Sequence, residues 1–163
     1  MDARVHRALK ITTPSDLEIA MTREFDAPRR LVFEAMTTPE HVRRWLGSAE
    51  YPITTCEIDL RVGGAYRYVF RRPDGSDMTL EGAFTEVARP GRVAFVERMI
   101  MPGFTSDEYR VTSIFVEHDG KTTLTTTIRH NSKENRDGHL NSGIEKGVEP
   151  AYDRIAELVA TMA

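Results

Sequence analysis

Along most of the chain, apolar residues alternate with polar ones at the two-residue period of a strand that buries one face. β-Branched and aromatic residues concentrate in the same stretches. Seven segments carry this pattern: Leu17–Phe25, Ile53–Val62, Ala65–Arg72, Met78–Val87, Arg92–Met101, Tyr109–His118 and Lys121–His130. The residues between them are turn formers. Gly63-Gly64 permits the positive φ of a tight reversal, Pro73-Asp74-Gly75 and Arg89-Pro90-Gly91 are turn sequences, and Asp119-Gly120 fits a two-residue type I′ loop. Connections this short predict an antiparallel meander.

The period lengthens in two places. After the first strand, Asp26 or Ala27 can cap a short helix that starts near Pro28 and carries Leu31, Val32, Ala35 and Met36. A second starts with Thr38 as cap and Pro39 in the first turn, where a missing N–H costs nothing, and ends near Trp45-Leu46-Gly47. Near the C-terminus, Leu140, Ile144, Val148, Tyr152, Ile155, Val159 and Met162 form a stripe at three- and four-residue spacing. It predicts one helix from a cap at Ser132 to about Thr161, roughly 40 Å long. No single hairpin covers such a stripe; a curved sheet does. The predicted fold class is α+β: a curved antiparallel sheet of six or seven strands around a long C-terminal helix, with two short helices between the first two strands. No linker, repeat or low-complexity segment interrupts the chain, so one domain over residues 1–163 is expected, with residues 1–10 the candidate for disorder.

Composition narrows the classes. Of the 163 residues, 40% are hydrophobic and 29% charged, and the net charge is −3, which provides no basic face for nucleic acid or an anionic membrane. The single cysteine, Cys56, excludes an internal disulfide and a cysteine-based zinc cluster. The N-terminus carries Asp2, Arg4, Arg7 and Lys10 without an apolar stretch, so it does not read as a secretory signal. No run approaches the roughly 20 apolar residues of a membrane span. A cytoplasmic location is the expectation.

The element order resembles the helix-grip fold of the START-like (SRPBCC) superfamily, and the residues point further. Phe25-Asp26-Ala27-Pro28-Arg29, Leu31-Val32-Phe33, Thr38-Pro39-Glu40-His41-Val42 and Arg44-Trp45 resemble the opening of the family named for the activator of the Hsp90 ATPase. Similar too are the block from Glu57 to Tyr68, the run Phe95-Val96-Glu97-Arg98, and stretches from Thr122 to Ile155 that include Arg136-Asp137, Gly143-Ile144-Glu145-Lys146-Gly147 and Asp153-Arg154-Ile155. The resemblance runs from Ile11 over nearly the whole chain and matches the bacterial single-domain type. It implies a fold and a cavity: related helix-grip families bind lipids, hormones, polyketides or antibiotics there, and some cyclise aromatic polyketides. The eukaryotic activator has a separate N-terminal domain central to stimulating Hsp90, for which this chain has no room, so an Hsp90 interaction is not expected.

His6, His41, His118, His130 and His139 lack metal-site spacing; His130 and His139 could meet across the final loop without an added carboxylate pair, so no metal is expected. Ser48, Ser106 and Ser132 lie in loops or caps, outside any nucleophile elbow. Cys56 alternates with Ile58, Leu60 and Val62 and reads as a buried structural thiol. Gly63-Gly64 and the Gly143/Gly147 pair are not phosphate loops, and no cofactor is expected.

Glu97 stands out, because it shares a strand face with Val93, Phe95 and Met99. If buried it needs a partner or a raised pKa; Arg67, Arg71, Tyr66 and Tyr68 are the candidates. Gly143 and Gly147 fall on or beside the helical stripe ahead of Pro150, three costly residues that could leave volume beneath the sheet. The segment Met101–Ser106 presents Phe104 as a cavity lid would. The resulting ligand-cavity set is Trp45, Tyr66, Tyr68, Phe84, Glu97, Met99, Tyr109, Ile144 and Gly147, with no catalytic residue assigned.

The expected function is non-catalytic binding of a small hydrophobic or amphipathic ligand. The alternatives are a cyclase or hydrolase using Glu97 or His130 as acid–base, and a chaperone-interacting or stress-response module. A homodimer is compatible with the sequence.

Overall fold

The structure, a computed structural model, describes residues 9–162 apart from the side chain of Glu145. In chain order its elements are β1 (Lys10–Thr12), β2 (Glu18–Phe25), α1 (Arg29–Thr37), α2 (Pro39–Trp45), β3 (Ile53–Ile58), β4 (Ala65–Arg71), β5 (Asp77–Ala88), β6 (Arg92–Met101), β7 (Phe104–Thr105), β8 (Tyr109–His118), β9 (Lys121–Arg129), α3 (Lys133–Leu140) and α4 (Ile144–Met162). The strands form one antiparallel sheet in the order β1-β2-β9-β8-β6-β5-β4-β3, with β7 paired to β6. It is the α+β arrangement that the alternation pattern implies, and the helix-grip architecture that the resemblance implies.

Alternation decides which face is buried. In β9, Thr122, Leu124, Thr126 and Ile128 are buried; in the paired β8, so are Tyr109, Val111, Ser113 and Phe115. Against this face lies α4, which buries Ala151, Tyr152, Ile155, Leu158 and Val159. Phe25 and Tyr152 meet with ring centroids 6.0 Å apart, and Phe33 of α1 meets Phe115 edge-on at 5.2 Å. The hairpin between β8 and β9 has positive φ at both Asp119 (51°) and Gly120 (76°), as a type I′ turn requires.

Because β2 pairs with β9, the chain must travel from one end of the sheet to the other to build β3. The two short helices make that crossing. Thr38 precedes a proline and so is held extended (ψ 125°), which ends α1 and starts α2, with Pro39 in its first turn. Pro28, rather than Asp26 or Ala27, occupies the N-cap position of α1.

Four boundaries differ from the sequence reading. The long helix is two helices: Gly143 (φ 91°) breaks the chain's helical run between α3 and α4, and α4 alone is about 28 Å long. The apolar period survives the break, since Leu140 and Ile144 pack on one cluster with Ile19, Val111 and Ile128. Ser132 caps α3 as expected, its hydroxyl accepting from Asn135 N–H at 3.0 Å. Strands β1 and β7 were not foreseen; both are too short to show alternation. Strand β3 stops at Ile58, leaving Leu60 partly buried and Val62 exposed in a turn. Lys10 opens β1, and residues 1–8, with His6, lie outside the described residues. Among the described residues no helix is long and apolar enough to cross a membrane.

Candidate functional site

Between the concave sheet face and α4 lies a cavity of about 240 Å³. The sheet supplies Tyr66, Tyr68, Phe84, Phe95, Val111 and Ile128; α4 supplies Gly147, Val148, Ala151 and Tyr152; Met36, Trp45 and Leu46 close one side from the crossing helices. Trp45 is fixed there by its indole N–H, which donates to Ala35 O at 2.8 Å. Gly147 sits at the rim: it is exposed, and a Cβ built on it meets nothing within 4 Å. Apart from tyrosine phenols, the one ionisable side chain among the described lining residues is Glu97.

The position of Glu97 follows from register. Tyr66 on β4 lies opposite Gly82 on β5, Gly82 opposite Glu97 on β6, and Glu97 opposite Tyr109 on β8. Four residues thus form a row across the sheet on one face. Gly82 is the gap in that row, and through it Tyr66 reaches past a whole strand. Tyr66 Oη donates to Glu97 Oε1 at 2.9 Å, and Tyr109 Oη donates to Glu97 Oε2 at 2.7 Å. A Cβ on Gly82 would overlap the Val96 carbonyl oxygen and come within 2.8 Å of Tyr66 Oη.

Glu97 is half-buried, with protein atoms crowding its carboxyl, and it lines both this cavity and a hollow on the outer sheet face. Burial raises its pKa above the ordinary carboxylate range, and the bonds from Tyr109 and Tyr66 counter this only in part. Burial, reinforced by the Glu97 charge, pushes both phenols far upward, so they remain donors. Further along the cavity is a second polar group. Ser113 and Thr126 share a hydrogen bond (3.1 Å), and Tyr152 Oη donates to Thr126 Oγ1 at 3.3 Å. Ser113 is four residues from Tyr109 on β8, so the two polar groups are about 13 Å apart along the strand.

A different hollow, of about 530 Å³, opens on the far side of Tyr109 between α3 and the β6–β7 hairpin. His130 Nε2 and His139 Nδ1 are 2.8 Å apart at its edge, and the Tyr109 ring rests against both, with centroids at 5.1 and 5.6 Å. Burial, with the neighbouring His130 adding to it, lowers the pKa of His139 to about 4. Burial lowers His130 as well. Among the described residues no three potential ligands group as a metal site. The hairpin bearing Phe104 is bonded back onto β6, with Met99 N–H donating to Ser106 Oγ at 2.9 Å. On the outer sheet face, a shallow hollow of about 550 Å³ lies among Glu57, Arg67, Glu81 and Arg98; the Arg98–Glu81 ion pair (2.7 Å) crosses it.

Of the residues singled out from sequence, Trp45, Tyr66, Tyr68, Phe84, Glu97 and Gly147 line the cavity. Met99 and Tyr109 line the hollow beside α3 instead, and Ile144 packs into the cluster around Ile19 and Val111. Arg67 and Arg71 are not partners of Glu97. They stand exposed, Arg67 3.9 Å from Glu81 and Arg71 3.1 Å from Asp77. Cys56 is buried, and burial raises its thiol pKa. Sequence reasoning missed Ser113, Thr126 and Tyr152 as lining residues, the bond from Tyr109 to Glu97, and the gap at Gly82. A glycine inside a strand is the signal that could have found the gap.

The family profile described as Activator of Hsp90 ATPase homolog 1-like protein matches residues 26–160. A crystal structure of a protein from Rhodobacter sphaeroides is similar with a TM-score of 0.85 and 24% identity, over 95% of this chain and 99% of that one. One from Mycobacterium smegmatis gives 0.79 and 25%, over 91% and 96%. The AHSA1 protein from Silicibacter pomeroyi gives 0.72 and 20%, over 90% and 99%. No curated protein matches the chain. With the profile spanning most of the sequence and the fold shared across these structures, the chain belongs to the Activator of Hsp90 ATPase homolog 1-like family, START-like proteins whose helix-grip fold typically holds a ligand in a cavity.

Proposed function

We propose that this protein binds a small, largely apolar molecule between sheet and α4, without transforming it. The observation that carries the reading is the cavity of about 240 Å³, mostly apolar, with the Glu97 carboxyl and the Tyr66 and Tyr68 phenols at one end and the Ser113, Thr126 and Tyr152 hydroxyls further along. A cavity of about 150 Å³ holds benzene, so this one suits roughly ten non-hydrogen atoms. Burying about 300 Å² of apolar ligand surface at about 25 cal/mol per Å² supplies roughly 7 kcal/mol before the costs of association. That fits dissociation constants from micromolar to millimolar.

Glu97 fits recognition better than acid–base turnover. Both of its oxygens are engaged by phenols that burial keeps protonated, and no nucleophile stands beside it among the described lining residues. Solvent extraction of the purified protein followed by mass spectrometry tests the reading. A stoichiometric apolar compound of about ten non-hydrogen atoms, or reversible uptake of a probe of that size by the extracted protein, is the expected result. Failure to retain or take up any such molecule contradicts it.

A further inference from the structure

Resting on that reading, we propose that the cavity selects a protonated amine: a compact apolar body whose ammonium group docks on Glu97. Three independent features point the same way.

The first is the charge inventory. No Lys, Arg or His is among the described lining residues, and Glu97 is the one acid. A carboxylate or phosphate ligand would be buried beside a like charge with no cation to offset it, and an unpaired buried charge is expensive. An ammonium would instead complete an ion pair whose acid is already in place.

The second is unused acceptor capacity. An ionised carboxylate offers about four lone-pair sites. Tyr66 and Tyr109 occupy one on each oxygen, leaving room for further donors and none for an acceptor. Tyr68, in the same lining, has no hydrogen-bond partner for its hydroxyl among the described residues.

The third is the aromatic wall. The Tyr66 ring lies 5.1 Å from Tyr68, 5.3 Å from Phe84 and 5.1 Å from Phe95, centroid to centroid. Ring faces clustered beside an acid attract a desolvated cation through their quadrupoles. Burial raises the Glu97 pKa in the empty cavity, and a bound cation would lower it again.

Three probes that share a ring and a two-carbon tail test the proposal on the full chain at neutral pH: 2-phenylethylamine, 2-phenylethanol and phenylacetate. Affinities are read by titration calorimetry or ligand-observed NMR. The amine should bind at least tenfold more tightly than phenylacetate and more tightly than the alcohol. Glu97→Gln should weaken the amine at least tenfold and leave the alcohol within threefold. The ranking in the parent protein decides even if the variant does not fold. Phenylacetate binding as tightly as the amine, or an amine affinity that Glu97→Gln does not change, overturns the proposal. Alcohol binding without amine binding overturns the cation and leaves the cavity standing; no binding by any probe overturns both.

Discussion

Replacing Gly82 by alanine puts a methyl group where the Tyr66–Glu97 bond crosses β5. An ideal Cβ overlaps the Val96 carbonyl oxygen and lies 2.8 Å from Tyr66 Oη. The carbonyl is backbone of the neighbouring strand and cannot rotate away. Either β5 and β6 part locally or Tyr66 abandons the carboxyl. Overpacking costs about 1–3 kcal/mol, and leaving the acid short of a donor costs about 1–3 kcal/mol. The two overlap, because relieving one provokes the other. Alanine's smaller freedom in the unfolded chain returns about 0.4–1 kcal/mol. The net loss expected is about 1–3 kcal/mol, a fall in Tm of roughly 2–12 °C for a chain of this size. The same substitution at Gly147 meets nothing within 4 Å and lies inside a helix. There alanine should gain about 1 kcal/mol and raise Tm by roughly 2–4 °C. Urea and thermal denaturation of both variants measure the contrast. A Gly82→Ala protein within about 0.5 kcal/mol of the parent, or the same sign at both sites, refutes the reasoning.

Tyr66→Phe and Tyr109→Phe should each cost about 1–3 kcal/mol in urea denaturation. Because both serve one carboxyl, the double variant should depart from additivity by at least about 0.5 kcal/mol; strict additivity would mean that the two bonds are independent. For His139 the folded pKa of about 4 lies below the ordinary 6.5, so between those values the unfolded chain binds more protons. Its contribution is intact above about pH 6.5 and lost as pH falls to about 4, roughly 3 kcal/mol at about 1.4 kcal/mol per unit. Comparing denaturation of the parent with His139→Asn across that window isolates it; parallel pH profiles would contradict the sign. Gly147→Leu should keep or raise Tm while excluding a hydrophobic fluorescent probe, whereas unchanged uptake would remove Gly147 from the rim.

Much of the architecture was legible because alternation and turn chemistry are local. Asp119-Gly120 announces its hairpin, and Thr38-Pro39 announces the joint between α1 and α2. The break at Gly143 was hidden because Leu140 and Ile144 keep the four-residue step across it, and both still meet the sheet. Glu97 was visible as a polar residue in an apolar strand, but its partners depend on register between strands far apart in sequence. Arg67 looked eligible from composition; its neighbour Tyr66 takes the concave face, so alternation sends Arg67 outward. Tyr109 and Gly82 join the site only once β8 and β5 are laid on either side of β6. The pairing of His130 with His139 likewise waits on α3 folding back over the end of β9.

The central claim is that a ligand occupies the space between sheet and α4, and locating a bound probe tests it most directly. Amide and side-chain chemical shifts should be followed while 2-phenylethanol is titrated into the isotope-labelled protein. Saturable shifts at Tyr68, Phe84, Phe95, Glu97 and Val148, with Glu57, Arg67, Glu81 and Arg98 unmoved, are the expected result. Shifts confined to those four outer-face residues, or to His130 and His139 beside α3, would contradict the account.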